Sequence, residues 1–469
     1  MALKDVIAGS RNEEGIAAVL GMLKQQFGDR FQKGQSFREQ HTHTTTYLTP
    51  QLPDGVVFVE SSADVGAVVK VCAAHRVPVI PFGTGSSLEA HLNAPSGGVS
   101  IDFSRMNRVL SVNAEDLDCT VEPGITREEL NTYLRDTGLF FPIDPGANAS
   151  IGGMAATRAS GTNAVRYGTM KDNVLALTVI GADGEEIRTA HRARKSAAGY
   201  DLTRLYVGSE GTLGVITSVT LKLQGIPEKI GGGLCGFPSL KAACDAVIMT
   251  IQMGIPVARI ELLDEMQIRA CNLYSKLSLS EQPTLFVEFH GTDETVALQS
   301  AQFAEIVTEF GGDEFRWTVD AAERAQLWKA RHNAYWASRA LAPELSGLST
   351  DVCVPISRLA ECVAETQADI AETGFLAPIV GHAGDGNFHV LVLFDNKSPE
   401  DVVKAEAFTS RLTTRALSMD GTCTGEHGIG QGKISYLAQE LPTALPVMRA
   451  IKRGLDPDDI FNPGKIFRL

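Results

Sequence analysis

The alternation of apolar and polar positions predicts an α/β region in the first half of the chain. The run "VVFVE" at 56–60 reads as a buried strand, and the next stretch repeats apolar residues at 65, 68, 69 and 72, the spacing of one helix face. Ser62 is the expected N-cap of this helix. The strand-like run "VPVIPFG" follows, so the three segments predict a β-α-β unit. Strand-like runs continue to "TLGVITSVTLKL", and we expect a boundary at "LQGIPEK".

The second half carries one pattern twice. The segments "IGGGLCGF", "SLKAACDAVIMTIQMG" and "VARIELL" read as strand, helix and strand, and "TLFVEFH", "TDETVALQSAQFAEIVTEFGG" and "EFRWTV" follow in the same order. Two such units in succession predict a ferredoxin-like antiparallel sheet with helices on one face. After them, "AAERAQLWKARHNAYWASRALA" predicts one long helix, and the tail "LDPDDIFNPGKIFRL" predicts a loop.

The composition is that of an ordinary globular protein. Of the 469 residues 44% are hydrophobic and 21% charged, and this length predicts two or three domains. A net charge of −14 without a basic block argues against nucleic-acid partners and against docking on anionic lipid. No apolar run is long enough to cross a bilayer, and we expect no leader segment. Eight cysteines without a C-x-x-C pair suggest reduced thiols, so we expect a cytoplasmic protein, either free or peripheral to the inner membrane.

Three segments rich in small residues are candidate cofactor sites. The first, "PFGTGSSLEAH" at 81–91, follows a strand, but Leu88 stands where a dinucleotide fingerprint would have its third glycine. Its glycines and serines allow close backbone approach and supply donors for an anion, although a plain surface turn has the same composition. The other two are "DPGANASIGGMAATRASGTNAVRYGTMKDNV" at 144–174 and "VGSEGTLGVIT" at 207–217.

Two histidines flank a tight turn in "VGHAGDGNFHVLV". If Asp385-Gly386 is a two-residue hairpin turn, His382 pairs with His389 on the same face, with Cβ atoms about 5 Å apart. Such a pair can share a divalent metal, and the segment "GTCTGEHGIGQGK" at 421–433 offers a further carboxylate and imidazole. A structural polar pair of histidines remains the alternative at this point.

The three small-residue segments resemble the FAD-binding domain of the vanillyl-alcohol-oxidase-like flavoproteins. The resemblance implies that the first segment holds the pyrophosphate of FAD, the second the flavin, and the third the adenosine side. Some members attach FAD covalently through a histidine in the first loop; none lies between 83 and 88 here, so we expect non-covalent FAD. The implied cofactor-binding residues are Pro81, Gly83, Thr84, Gly85, Ser86, Ser87, Pro145, Gly146, Gly152, Gly153, Gly161, Asn163, Gly168, Glu210, Gly211, Gly214, Ile216 and Asn462.

The second half resembles the members of that family that oxidise D-2-hydroxy acids, through "GHAGDGNFH", "GEHGIG", "STDVCVPISRL", "LWKARHNAYW" and "NPGKIF". The resemblance implies a divalent zinc or manganese ion on His382, His389 and Glu426, with His427 as the base. It also implies that Arg331, on one helix face with Trp328 and Tyr335, binds the substrate carboxylate. The apolar Leu391, two residues past His389, suggests a substrate with a small or hydrophobic side chain.

The resemblance implies an α+β fold in four parts. These are an N-terminal helical segment (1–45), a vanillyl-alcohol-oxidase-like FAD-binding domain of two α/β subdomains (46–225), a ferredoxin-like antiparallel-sheet cap domain (226–425), and a C-terminal helical segment that returns to the flavin (426–469).

The implied activity is FAD-dependent oxidation of a D-2-hydroxy acid. D-lactate is the first choice of substrate, and D-2-hydroxyglutarate or glycolate are the alternatives. The electron acceptor stays open among a cytochrome, a quinone, a partner flavoprotein and oxygen. A metal-dependent hydrolase would use the same ligands but has no need of the glycine-rich half, and a flavin-binding subunit without chemistry has no need of the ligands.

Overall fold

The first α/β layer is built on a mixed four-stranded sheet. The computed structural model describes residues 10–42 and 46–469. Three strands of this sheet run parallel, and the short strand Phe31–Gln32 pairs antiparallel at its edge. The predicted β-α-β unit is present, with the helix capped by Ser61, one residue before the expected N-cap. The parallel strands and the helix are Gly55–Phe58, Val79–Phe82, Val99–Asp102 and Ser62–Ala74.

The N-terminal part of the chain packs onto this layer. The helix Glu13–Phe27 is capped by the Asn12 side chain and buries Val19 and Leu23 in the same core as Val57. A 3₁₀ turn, Gly28–Arg30, and the helix Gln35–Gln40 follow. The predicted helical segment 1–45 also includes residues 1–9 and 43–45, which lie outside the described residues.

The second layer is a five-stranded antiparallel sheet covered by short helices. A separate two-stranded ribbon joins Leu139–Phe140 to Gln224–Gly225. The sheet strands, in spatial order, are Val109–Asn113, Asp118–Val121, Val215–Lys222, Val174–Ile180 and Glu186–Arg188. The helices are Arg127–Leu134, Ile151–Thr157, Ala164–Tyr167, Met170–Asn173 and Leu202–Tyr206, with a 3₁₀ turn at Arg135–Thr137.

The second half forms an antiparallel sheet whose first four strands have the ferredoxin-like order 4-1-3-2. In space these are Arg316–Thr318, Lys229–Gly236, Thr284–Gly291 and Val257–Leu263. The sheet continues through Ile379–His382, Asn387–Phe394 and Ser346–Ser349, and Val352–Cys353 also pairs with its long hairpin strand. One face packs against the helices Leu240–Gln252, Asp293–Glu309, Leu359–Thr373 and Pro399–Ser418.

Two expectations for this sheet need correction. Helices cover both faces in part, because Leu263 and Phe286 of the second face pack against Ile268, Trp328 and Ala337. The covering helices are Glu265–Ser275, Ala321–His332 and Ala334–Ala340. The predicted single helix from 321 is therefore interrupted at Asn333.

The break at Asn333 has a local cause. The Asn333 backbone has a ψ of 5°, outside the helical range, and asparagine is a weak helix former. The ring Nδ1 of His332, the last residue of the first helix, lies 2.6 Å from the carbonyl oxygen of Trp328.

The C-terminal residues return to the first layer. The helices Ile434–Glu440 and Leu445–Leu455 lead to a loop in which Phe461 bridges to Val79 and enters the first core. Lys465 in this loop is buried, and its Nζ donates to the carbonyl oxygen of Asn93 over 2.6 Å. Among the described residues, no helix is both long and apolar enough to cross a bilayer.

Candidate active site

The two histidines lie on one face of a hairpin, but not directly opposite each other. The observed register pairs His389 with Val380 and His382 with Asn387. The predicted two-residue turn is wrong, because a 3₁₀ turn at Ala383–Asp385 and Gly386 together connect the strands. His382 and His389 are therefore diagonal neighbours, with ring centroids 5.5 Å apart.

Gly386 is required by the turn geometry. Its φ is 77°, in the left-handed region, and a Cβ there would lie 2.1 Å from the carbonyl oxygen of Val354.

The loop 421–433 brings Glu426 and His427 to this histidine pair. Oε1 of Glu426 lies 3.1 Å from Nε2 of His382 and 3.4 Å from Nε2 of His389. The ring of His427 stacks on that of His389 with centroids 5.0 Å apart. Burial opposes ionisation of Glu426, but the two histidines outweigh it and hold the pKa of this carboxyl well below its usual range. All four residues that the sequence singled out for metal and base therefore converge.

Asp351 holds the loop in place. Its Oδ2 accepts hydrogen bonds from the backbone N–H groups of Glu426 and His427, over 2.9 and 2.8 Å, and from the Thr424 hydroxyl over 2.8 Å. Its Oδ1 accepts from the Asn387 side chain over 2.9 Å. Sequence reasoning missed this residue; its only signal is a lone acid in "STDVCVP".

The donor atoms favour one metal-ligand set over another. His382, His389 and Glu426 form one group of three possible ligands, and Asp351, His389 and His427 form a second. The Asp351 carboxylate is already satisfied by its hydrogen-bond donors, whereas Oε2 of Glu426 is buried without a hydrogen-bond partner among the described residues. Two imidazoles and a free carboxylate oxygen fit a divalent zinc or manganese ion.

Arg331 reaches this group through another carboxylate. It is buried, and its Nε donates to Oε2 of Glu261 over 2.8 Å. Oε1 of Glu261 lies 2.8 Å from Nδ1 of His382. Trp328 is buried below a second guanidinium, Arg259, which lies 4.7 Å from the centre of its ring. Sequence reasoning singled out neither Glu261 nor Arg259.

Leu391 lies in a small apolar cluster beyond the histidines. It is buried against Ala342 and Leu393, and Tyr335 packs against the same cluster. On the other side of His427, Oε1 of Glu89 lies 3.8 Å from Nδ1 of His427 and 3.2 Å from the Lys433 ammonium. His427 is therefore flanked by buried charges that the sequence did not reveal.

The first glycine-rich loop offers unpartnered donors. A Cβ on Gly83 would lie 2.2 Å from the Ser150 hydroxyl oxygen, so the backbone of the loop lies against the Ser150 side chain. The hydroxyls of Ser87 and Ser150 are buried without a hydrogen-bond partner among the described residues. Hydroxyl donors in a cradle that only glycine permits fit the phosphate groups of FAD. The other residues predicted in this loop are Pro81, Thr84, Gly85 and Ser86. Pro81 lies within the strand Val79–Phe82.

Several of the other predicted cofactor residues have a packing role in the protein itself. A Cβ on Gly152 would lie 2.4 Å from the side chain of Pro123, and one on Gly214 would lie 2.6 Å from that of Val179. Gly161, Gly168 and Gly211 have positive φ. Ile216 is buried in the second core. Asn163 forms hydrogen bonds with Asp144, Pro142 and Arg259. By contrast, Gly146 has open space beside it, next to Pro145, and a Cβ on Gly153 would lie 3.0 Å from the Ser150 hydroxyl oxygen.

Glu210 connects the loop of His427 to the FAD-binding half, and Asn462 connects the C-terminal tail to it. The carboxylate of Glu210 accepts hydrogen bonds from the backbone N–H groups of Ile429 and Gly430, over 2.7 and 2.8 Å. The Asn462 side chain donates to the carbonyl oxygens of Glu210 and His91. Both side chains thus have partners within the protein.

Comparison with known proteins identifies the family. Residues 53–190 match the model of an FAD binding domain, and residues 226–466 match that of the C-terminal domain of FAD linked oxidases. The chain belongs to the FAD-linked oxidases, the vanillyl-alcohol-oxidase-like family that its motifs predicted, and FAD is its cofactor. This membership favours the oxidase interpretation over a hydrolase.

Curated relatives match over most of the chain. A probable mitochondrial D-lactate dehydrogenase of Danio rerio is 51% identical, over 93% of this chain and 88% of the relative. A mitochondrial D-lactate dehydrogenase [cytochrome] of Arabidopsis thaliana is 50% identical, over 88% of this chain and 73% of the relative. The glycolate oxidase subunit GlcD of Bacillus subtilis (strain 168) is 32% identical, over 94% of each chain. These relatives identify the chain as an FAD-dependent oxidoreductase of the D-2-hydroxy-acid dehydrogenase type.

Solved structures show the same fold at low identity. A 4-ethylphenol oxidase from Gulosibacter chungangensis superposes with a TM-score of 0.79 at 17% identity, covering 98% of this chain and 99% of its own. The predicted fold class is confirmed. The predicted cytoplasmic location is wrong, because the relatives from Danio rerio and Arabidopsis thaliana are named as mitochondrial proteins. Composition and charge could not reveal this.

Proposed function

We propose that the protein oxidises D-lactate to pyruvate at the group formed by His382, His389, Glu426 and His427. The observation that carries the proposal is the convergence of these side chains, from a hairpin and a distant loop, on one face of the cap sheet. The names of the most similar relatives support D-lactate as substrate. Glycolate is the alternative that the Bacillus subtilis relative suggests, and D-2-hydroxyglutarate is a further one.

His382, His389 and Glu426 would hold a divalent zinc or manganese ion, and the first loop would hold non-covalent FAD. When bound, FAD supplies a two-electron acceptor and the cation supplies a Lewis acid for the substrate hydroxyl. The proposal includes the cofactor-binding residues that the sequence predicts and the domain limits at 45/46, 225/226 and 425/426.

His427 takes the hydroxyl proton as the α-hydrogen leaves with its electron pair. A positioned base of this kind contributes about 10²- to 10⁴-fold in rate. Asp351 fixes the backbone of His427, and the stacking on His389 fixes its ring, so the base needs little reorganisation.

Arg331 binds the substrate carboxylate. Its Nε and Nη2 both contact Oε2 of Glu261, which leaves the N–H groups of Nη1 for the substrate. Leu391 and its apolar neighbours would face the substrate methyl group, since a second carboxylate buried there would have no partner.

The electron acceptor is proposed to be a cytochrome. The Arabidopsis thaliana relative carries this acceptor in its name. A net charge of −14 suits the approach of a basic partner protein.

A panel of D- and L-2-hydroxy acids with a dye acceptor tests the substrate. We expect D-lactate to be turned over fastest, with L-lactate inactive and D-2-hydroxyglutarate slow. A preference for D-2-hydroxyglutarate or glycolate, measured as kcat/KM, would replace D-lactate while leaving the chemistry in place.

A further inference from the structure

Glu261 is a buried acid in a strand whose other residues, apart from Arg259, are apolar. The strand Val257–Leu263 pairs with the hairpin so that Leu262 faces Gly381, which brings Glu261 beside His382. Only 1% of the Glu261 side chain is exposed. A carboxylate removed from water to this extent is costly unless both oxygens have strong partners.

Both oxygens have such partners, and the two partners have different tasks in the proposed reaction. Oε1 lies 2.8 Å from Nδ1 of His382, a proposed metal ligand, and Oε2 accepts from Nε of Arg331, the proposed carboxylate binder, over 2.8 Å. One rigid side chain thus connects the group that binds the substrate hydroxyl to the group that binds its carboxylate.

The contact with His382 decides which ring nitrogen is available. A carboxylate beside Nδ1 favours the proton on that nitrogen, which leaves the Nε2 lone pair directed toward Glu426, 3.1 Å away. A partner of this type fixes both the orientation of a ligating ring and its basicity. The contact with Arg331 likewise limits the rotation of the guanidinium.

We infer that Glu261 is a positioning residue that sets the His382 ring for the cation and the Arg331 guanidinium for the substrate carboxylate. This inference rests on the proposed function. It predicts that one substitution weakens two separate binding events, although Glu261 touches neither the cation nor the substrate.

The chain offers a matched control on the neighbouring strand. Glu288 is also buried, with its Oε1 2.9 Å from Nε2 of His290 and 3.5 Å from Nη1 of Arg259. It therefore has the same kinds of partner as Glu261 but contacts none of the proposed metal ligands.

The test compares Glu261→Gln with Glu288→Gln in the FAD-loaded, chelator-treated protein. Mn²⁺ affinity is measured by calorimetric titration, and KM for D-lactate is measured after the metal is restored. We expect E261Q to bind Mn²⁺ about 10- to 100-fold more weakly and to raise KM, while E288Q keeps its Mn²⁺ affinity within about twofold. If E261Q fails to fold, Glu261→Asp keeps the charge but cannot reach both partners, and it should weaken Mn²⁺ binding or raise KM.

An unchanged Mn²⁺ affinity and KM in E261Q, or in E261D where that variant is needed, would overturn the positioning role and leave the proposed function standing. Wild-type protein that binds no Mn²⁺ and turns over D-lactate without it would overturn the proposed metal site and the positioning role together, while the oxidation of D-lactate would stand.

Discussion

Replacing Asp351 by Asn tests whether one buried carboxylate holds the loop 421–433 in its position. The substitution conserves size but leaves one oxygen where there were two. Oδ2 of Asp351 now accepts from Thr424, Glu426 and His427, and Oδ1 from Asn387. The amide oxygen can take the place of only one of these two carboxylate oxygens. The NH₂ group must then stand in the other place, where it faces a hydrogen-bond donor. Asn387 cannot easily turn, because its side chain also donates to the Val352 carbonyl over 2.8 Å.

The magnitude follows from these bonds. A hydrogen bond to a charged group is worth about 1.5–3 kcal/mol and a neutral one about 0.5–1.5 kcal/mol. One bond is lost and three become neutral, so the loss is about 4.5–7.5 kcal/mol in total. A typical domain has about 5–15 kcal/mol of stability in all, so we expect a clearly lower melting temperature. If about 3 kcal/mol of this appears as displacement of the loop, kcat/KM falls about 10²-fold.

The assay needs four readouts on D351N: flavin content, melting temperature, Mn²⁺ affinity and kcat/KM with D-lactate. The control is Asp369→Asn, which removes a buried carboxylate bonded to Arg411 and Arg415 on the outer helices of the cap. It should lower the melting temperature without changing kcat/KM. A D351N enzyme with wild-type kcat/KM and Mn²⁺ affinity would show that Asp351 does not position Glu426 and His427.

Three further predictions concern other parts of the chain. His427→Ala should lower kcat by about 10²- to 10⁴-fold with FAD still bound; unchanged turnover would remove His427 as the base. Burial raises the pKa of Asp264 to about 7, so its carboxyl keeps a proton in the folded protein at pH values where the unfolded chain has lost it. Stability from this group is present below pH about 4 and is lost as the pH rises toward about 7. Asp264→Asn should therefore raise the melting temperature at pH 8 more than at pH 5, and an equal shift at both would contradict the assignment. Lys452→Met leaves the buried Asp456 without its ammonium partner and should cost about 3–5 kcal/mol in chemical denaturation; a loss under about 1 kcal/mol would be inconsistent with a buried pair.

The sequence was most informative where periodicity decides the structure. The β-α-β unit around Ser62–Ala74 and the two halves of the cap sheet follow from local apolar spacing, and both are present. The histidine pair was placed on the correct face, because a shift of two residues in register keeps a side chain on its side of the sheet. The shift itself came from a 3₁₀ turn followed by Gly386, which bonds to the backbone of Val354, a residue far from the turn along the chain.

The residues that sequence reasoning missed are those defined by contacts between distant segments. Glu261 in "VARIELL" and Asp351 in "STDVCVP" have no local feature that separates them from any other acid. Their partners lie 70 and 75 positions away, at Arg331 and Glu426. Local periodicity carries no information on such pairings.

Glycines are easy to find in the sequence, but the sequence does not show which role each one has. Gly83 and Gly214 look alike in the sequence, yet a Cβ on the first would meet the unpartnered hydroxyl of Ser150, and one on the second would meet the packed side chain of Val179. Only the fold separates a glycine that makes room for a ligand from one that makes room for its neighbours.

The central claim is that metal-binding side chains and the flavin act on one bound D-2-hydroxy acid. The most direct measurement mixes D-lactate with the oxygen-free, FAD-loaded enzyme and follows the visible absorbance of the flavin, with and without metal. We predict rapid bleaching with Mn²⁺ or Zn²⁺ restored, and bleaching slower by orders of magnitude after chelation. Equal rates in both samples, with removal of the metal verified, would contradict it.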